Sequence, residues 1–229
     1  MRRSAEDFST KVLPTVTEDE LAWLDQEAVH AELERLRGLD VIEDMGEELV
    51  VEECIKLDTR LARDWRFREN QWKRRARLAA REIRDGDASN YETFSPTTPL
   101  AVVKMLIVMS LLHGLSIASV DVGDVFLQVP QTPLVLIEVP LWALHSGEVG
   151  NGKRFWVLKR CLPGQRVAAS EWNKFFTEIC ERHSFESFQG TIFRHKKQMA
   201  FISAHIDDLL IVDSKTFINN LYKELPKEL

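Results

Sequence analysis

The run Phe201-Ile202-Ser203-Ala204-His205-Ile206-Asp207-Asp208-Leu209-Leu210-Ile211-Val212 limits what this chain can fold into more than any other stretch. β-Branched and aromatic residues on both sides predict two short buried strands, and two adjacent aspartates in such a run belong at the turn between them. Carboxylates held side by side at a hairpin tip repel each other, and a hard divalent cation with oxygen ligands relieves that repulsion best. A solvated turn is the alternative, since Asp is a common turn residue. A second acidic block, Ser119-Val120-Asp121-Val122-Gly123-Asp124-Val125-Phe126, also follows a strand-like run and has no basic residue beside it.

The rest of the chain has to supply a core for these turns. With 229 residues, 45% of them apolar and 29% charged, it has the composition of a water-soluble globular protein. A net charge of −6 and a pI near 5.6 argue against a uniformly basic nucleic-acid binder. The charge is unevenly spread, however. Acids dominate from Glu6 to Asp58, whereas Arg and Lys dominate from Arg60 to Arg84, and a phosphate backbone responds to the local stripe rather than to the total.

Three cysteines, Cys54, Cys161 and Cys180, show no CxxC spacing, so neither a zinc site nor a disulfide framework is expected. The longest apolar stretch, Leu100 to Val120, is interrupted by Lys104, His113 and Gly114 and is read as a helix followed by a strand, not as a membrane span. Met1-Arg2-Arg3 leads into acids and not into an apolar segment, so no signal peptide is expected. The expected location is cytoplasmic, not secreted.

Along the chain, residues 1–17 lack periodicity. Thr17-Glu18-Asp19-Glu20 has capping-box spacing and predicts a helix from Glu18 to Arg37, stopped at Gly38. Leu49 to Leu57 is an expected strand. Thr98-Pro99 opens a helix that Gly114 ends, with Leu100, Val103, Leu106, Ile107, Ser110 and Leu111 as its buried stripe. Ser116–Val122, Leu134–Val139 and Phe155–Leu158 are expected strands, separated in part by a polar turn from Ser146 to Lys153. A helix from Ala168 to His183, with Trp172, Phe175, Phe176 and Ile179 in the core, precedes strands at Phe185–Arg194 and Gln198–Ile206. A short helix from Thr216 to Lys223 follows.

Several of these segments resemble, in order, the reverse transcriptase (RNA-directed DNA polymerase) of copia-type LTR retrotransposons. The resemblance covers roughly Val51 to Leu229. Arg74-Arg75-Ala76-Arg77-Leu78-Ala79-Ala80-Arg81 is similar to the family's YKARLVAKG, and Tyr91-Glu92-Thr93-Phe94-Ser95-Pro96 to its YEETFSP. Asp121-Val122-Gly123-Asp124-Val125-Phe126-Leu127-Gln128-Val129 corresponds to DVKxAFLNG, with a Gly-Asp pair like the retroviral form. Cys161 to Trp172 is similar to SLYGLKQAPRQW, with Pro163 in place of an aromatic and Ala169 in place of a proline. His205-Ile206-Asp207-Asp208 stands where the family has YVDD.

The resemblance implies an α+β fold of fingers and palm, a mostly antiparallel palm sheet backed by helices, and no thumb in this stretch. It implies an N-terminal acidic lead-in and helix over residues 1–48 and a reverse transcriptase domain over 49–229. Asp121, Asp207 and Asp208 are then the catalytic and metal-binding carboxylates, holding two Mg²⁺ or Mn²⁺ ions. Arg77 faces the nucleotide, with Arg75 and Arg81 as weaker candidates, and guanidinium groups suit that task because they bond phosphate bidentately. Phe126 either sits under the nucleotide sugar or packs in the core, two readings left open, and Gly164 and Arg166 belong to the nucleotide loop. Virus-like particles or the nucleus are further locations that the resemblance implies. The implied partners are an RNA or DNA template with its primer, deoxynucleoside triphosphates, and, in a full-length element, thumb, ribonuclease H and integrase domains, with no membrane. The competing expectation is a non-catalytic remnant of the same fold that at most binds nucleic acid. A metallohydrolase built on His205-x-Asp-Asp ranks below both, because no second histidine has the matching spacing.

Overall fold

The computed structural model of the protein describes residues 12–45, 54–82, 95–143 and 154–225. Residues 49–53 of the first expected strand, Tyr91 to Phe94, and the turn from Ser146 to Lys153 lie outside the described residues. From the N-terminus the elements are α1 (Glu18–Gly38), β1 (Ile42–Asp44), β2 (Ile55–Leu57), β3 (Thr59–Arg68), β4 (Gln71–Ala80), α2 (Leu100–His113), β5 (Ser116–Asp121) and α3 (Val125–Gln128). There follow β6 (Pro130–Glu138), β7 (Phe155–Arg160), α4 (Ala168–Arg182), β8 (Phe185–Phe188), β9 (Ile192–His195), β10 (Phe201–His205), β11 (Asp208–Asp213) and α5 (Lys215–Glu224).

Helix α1 begins where its sequence directs. Thr17 accepts a hydrogen bond from the Glu20 N–H through its side chain, and the Glu20 carboxylate accepts from the Thr17 N–H, closing the capping box. Acids fill its first turn and Arg35 and Arg37 its last, which suits the helix dipole. Strands β3 and β4 form a two-stranded hairpin whose tip residues, Glu69 and Asn70, both have positive φ (55° and 62°), the backbone sense that matches the twist of a tight hairpin.

Strands β1, β7, β6 and β2 form one sheet in that order, with β2 parallel to β6. A second sheet, in the order β5-β11-β10-β9-β8, is antiparallel throughout. Two cores result. One gathers Leu33 and Leu36 of α1, Leu78 of β4 and Trp156 and Leu158 of β7 over the four-stranded sheet. The other joins the five-stranded sheet to Trp172, Phe176 and Ile179 of α4 and to Ile218 and Leu221 of α5. Helix α3 connects them, with Val125 in the second core and Leu127 in the first, and Cys161 and Leu162 do the same one turn later in space.

Several expectations need correction. The parallel β2–β6 pair, strand β1 and the one-turn helix α3 have no counterpart in the sequence reading. Helix α2 has the expected bounds, but of its expected buried stripe only Leu106 and Ser110 are buried. Leu100, Ile107 and Leu111 are exposed, together with Met105, Val108 and Leu112. The reason is geometric: among the described residues α2 packs chiefly on β5 and β11, so only a narrow strip of a helix that is apolar nearly all round is covered.

Candidate active site

The acidic turns meet because of strand register. Asp121 ends β5 and Asp208 begins β11, and the two are direct partners across the antiparallel pair, which puts their side chains on one face of the sheet. The Val122 N–H donates to the Asp207 carbonyl at 2.8 Å and ties the two turns together. The hairpin tip is a strained one. Ile206 has φ 54°, a region that β-branched residues avoid. Its carbonyl accepts a hydrogen bond from Trp172 Nε1 at 2.9 Å, so an α4 side chain read from sequence as core also holds the Asp-Asp tip in place.

Asp121 and Asp207 open into a cleft of about 510 Å³ between these turns, α1 and the β3–β4 hairpin. Asp124 and Gly123 lie on the same side, and Arg35, Arg66, Arg68, Arg74, Arg75 and Arg77 line the remainder with Glu32. Guanidinium groups thus outnumber carboxylates in the lining. Part of the excess is neutralised from α1: Asp25 accepts from Arg74 Nε at 2.5 Å and from Arg63 Nη1 at 3.0 Å. These two bonds, the Arg74 one foremost, hold the Asp25 carboxyl below the ordinary Asp range. Arg77 is held below the usual guanidinium value, first by burial and then by the like charge of Arg66, while Asp124 pulls it back. Arg75 Nη1 is buried and has no hydrogen-bond partner among the described residues. A buried, unpaired cationic donor beside crowded arginines is suited to bonding an anion.

Asp121, Asp207 and Asp208 are exposed. As they stand, no three Asp, Glu, His or Cys side chains among the described residues converge as ligands for one ion. Their chemistry fits Mg²⁺ or Mn²⁺ all the same, because hard cations take carboxylate oxygens and exposed carboxylates turn about χ1 at little cost.

Other expected site residues fall outside the cleft. Phe126 is half-buried and packs against the α4 core. Gly164 has φ 92°, and an added Cβ would lie 2.4 Å from the Ala80 carbonyl oxygen, so what it meets closely here is the β4 backbone. Ala80 N–H donates to the Pro163 carbonyl at 2.8 Å, and the Arg166 N–H to Glu82 Oε2 at 2.7 Å. This loop therefore binds the base of the basic hairpin. Arg81 pairs with Asp58, N–H to carbonyl at 2.7 Å.

The sequence reading gave Glu32, Arg35 and Asp124 no role. Glu32 is 4% exposed. It accepts from Arg35 Nε and Nη2 and from the Leu78 N–H of β4, each at 2.9 Å. Arg35 Nη1 reaches Asp124 Oδ2 at 2.6 Å. The only sequence signal was the Glu32/Arg35 spacing of three, common on any helix surface.

No curated protein matches the chain. A family model described as reverse transcriptase (RNA-dependent DNA polymerase), the one typical of copia-type elements, matches residues 59–229. That match takes in β3, β4, both acidic turns and everything after them, and by it the chain belongs to the reverse transcriptase (RNA-dependent DNA polymerase) family.

Proposed function

We propose that the chain carries the fingers and palm of a copia-type retrotransposon reverse transcriptase and acts in template-directed nucleotidyl transfer. The observation that supports this most is the single cleft shared by Asp121, Asp207 and the arginines of β4. Nucleotidyl transfer needs neutralised charge and in-line positioning more than covalent chemistry, and a carboxylate side opposed by a guanidinium side meets both needs. The β3–β4 hairpin serves as fingers and the five-stranded sheet as palm.

Asp121 and Asp207 hold the divalent cations, and Asp208 is the weaker third ligand. When bound, two such ions lower the pKa of a primer 3′-hydroxyl and neutralise a triphosphate. Arg75 and Arg77 take the phosphate oxygens: Arg75 brings a donor with no hydrogen-bond partner among the described residues, and Arg77 gains a further anion to offset burial and the like charges of Arg66 and Arg35. Phe126 supports the sugar-proximal wall from the core side, and Gly164 and Arg166 fix the nucleotide loop to the base of the fingers. The substrates are deoxynucleoside triphosphates and a primed RNA or DNA template.

A non-catalytic remnant that binds nucleic acid is the second reading, favoured by His205 at the hairpin and by the open spacing of the three carboxylates. Primer extension separates the two. The chain fused to the thumb of a related element should extend a DNA primer on an RNA template with Mg²⁺ or Mn²⁺ and lose that activity in Asp207→Asn. A folded but inactive fusion would leave the remnant. Nucleic-acid binding is a separate matter: Arg77→Ala should weaken it and reduce the magnitude of the slope of log affinity against log salt by about 1. An unchanged slope would remove Arg77 from the interface.

A further inference from the structure

Asp124 stands three residues after Asp121 and lines the same cleft as Asp121 and Asp207. It is the N-cap residue of α3 yet caps nothing: its side chain makes no capping hydrogen bond, and its backbone is left-handed, φ 53°. What its carboxylate does meet is Arg35, at 2.6 Å. That arginine is itself fixed, because its Nε and Nη2 are gripped by buried Glu32, and Glu32 is fixed in turn by the Leu78 N–H of β4. The third nitrogen, Nη1, is left pointing at Asp124 and makes an ion pair outside hydrogen-bond geometry.

We propose that Arg35 is a positioning residue that holds the Asp124 carboxylate out of the cation ligand set, reserving that set for Asp121, Asp207 and Asp208. This rests on the metal-binding reading of the three aspartates given above. The physical reason is ligand count. Each added carboxylate tightens a hard-cation site and changes its selectivity, whereas a site that passes ions and products through repeated turnover must not bind them too well. A guanidinium anchored at two nitrogens is suited to parking a carboxylate, because it keeps its direction when the partner moves.

The test is titration of the full chain with Mn²⁺, read by electron paramagnetic resonance as free ion and as the spectrum of the bound ion, with circular dichroism to verify folding. Arg35→Ala should bind Mn²⁺ about tenfold more tightly and alter the bound spectrum, because the released Asp124 joins the ligands. The gain should vanish in Arg35→Ala/Asp124→Asn. Arg35→Lys, which keeps the charge and cannot span Glu32 and Asp124 at once, should show part of the gain. A merely structural arginine would weaken binding when removed, and that result would overturn the proposal. So would a gain that persists in the double variant, or a gain that leaves the spectrum of the bound ion unaltered, the latter marking a through-space charge effect. Asp207→Asn discriminates the underlying reading. If it binds Mn²⁺ like the unaltered chain, the metal assignment fails and the proposal falls with it. If it loses binding while Arg35→Ala gains nothing, the proposal alone falls. Where Arg35→Ala is unfolded, the Arg35→Lys comparison with and without Asp124→Asn decides, and equal affinities there overturn it.

Discussion

Gly164 shows how a single residue can be tied to a function by one argument and to architecture by another. A glycine in a loop next to a nucleotide site suggests close approach of substrate, yet the closest approach in this molecule is to the Ala80 carbonyl, with φ at 92°. Any Cβ there meets a backbone atom that cannot swing aside. Gly164→Ala should therefore destabilise the fold by about 1–3 kcal/mol, read as a lowered urea midpoint with unchanged slope. Pure loss of substrate binding at full stability would return the residue to the nucleotide site. Trp172 gives the opposite lesson. Its burial was legible from helical periodicity, but its hydrogen bond to the Ile206 carbonyl depends on a hairpin tip distant in sequence, and no local pattern encodes it. The same holds for Asp121 and Asp208. Each was visible as an acidic strand end, but their pairing is a matter of register between β5 and β11, which the family order implied and the residues alone did not.

Among the elements, α1 was placed correctly and given too little to do. Its bounds were readable to within a residue from the Thr17–Glu20 box and Gly38, because capping is local chemistry. Its docking against β4 was not, because the ion pairs that hold it lie 38 to 49 residues apart in sequence. Asp25 offers a way to measure that docking. Its carboxyl is held below the ordinary value by Arg74 first and Arg63 second. A folded pKa below the unfolded one contributes stability that is present above the unfolded value, about 4, and is lost as pH falls through the folded value. Urea melts should thus show the unaltered chain more stable than Asp25→Asn at pH 6, with the difference shrinking below about pH 4. A difference independent of pH would mean that Asp25 acts through packing and not through charge. Of the hairpin of β3 and β4, the resemblance implied a fingers strand at Arg74 to Arg81, while the residues alone read as a basic stretch. Its turn, Glu69-Asn70, lacks the glycine that usually marks such tips, so the strand pairing left no sequence signal there.

For the whole molecule, one palm-like sheet was legible beforehand, whereas the second sheet, with its parallel β2–β6 pair, was not. That sheet draws strands from segments more than 70 residues apart, and periodicity cannot report which distant strands meet. Helix α2 is where the sequence was most confidently apolar and the fold least obliging, since a run that is hydrophobic on every side names no face. The consequence is colloidal. Leu111 and Leu112 are each 76% exposed, and with Leu100, Met105 and Val108 they present apolar surface relieved on the helix by little beyond Lys104. Surface of that kind is an aggregation liability in water. Sedimentation velocity should show the chain's apparent mass rising with protein concentration, and Leu111→Glu/Leu112→Lys should hold it at the monomer value without lowering the melting temperature. The handling of this protein in solution should then follow that helix: a mild detergent, like those two substitutions, should hold the apparent mass down at high protein concentration.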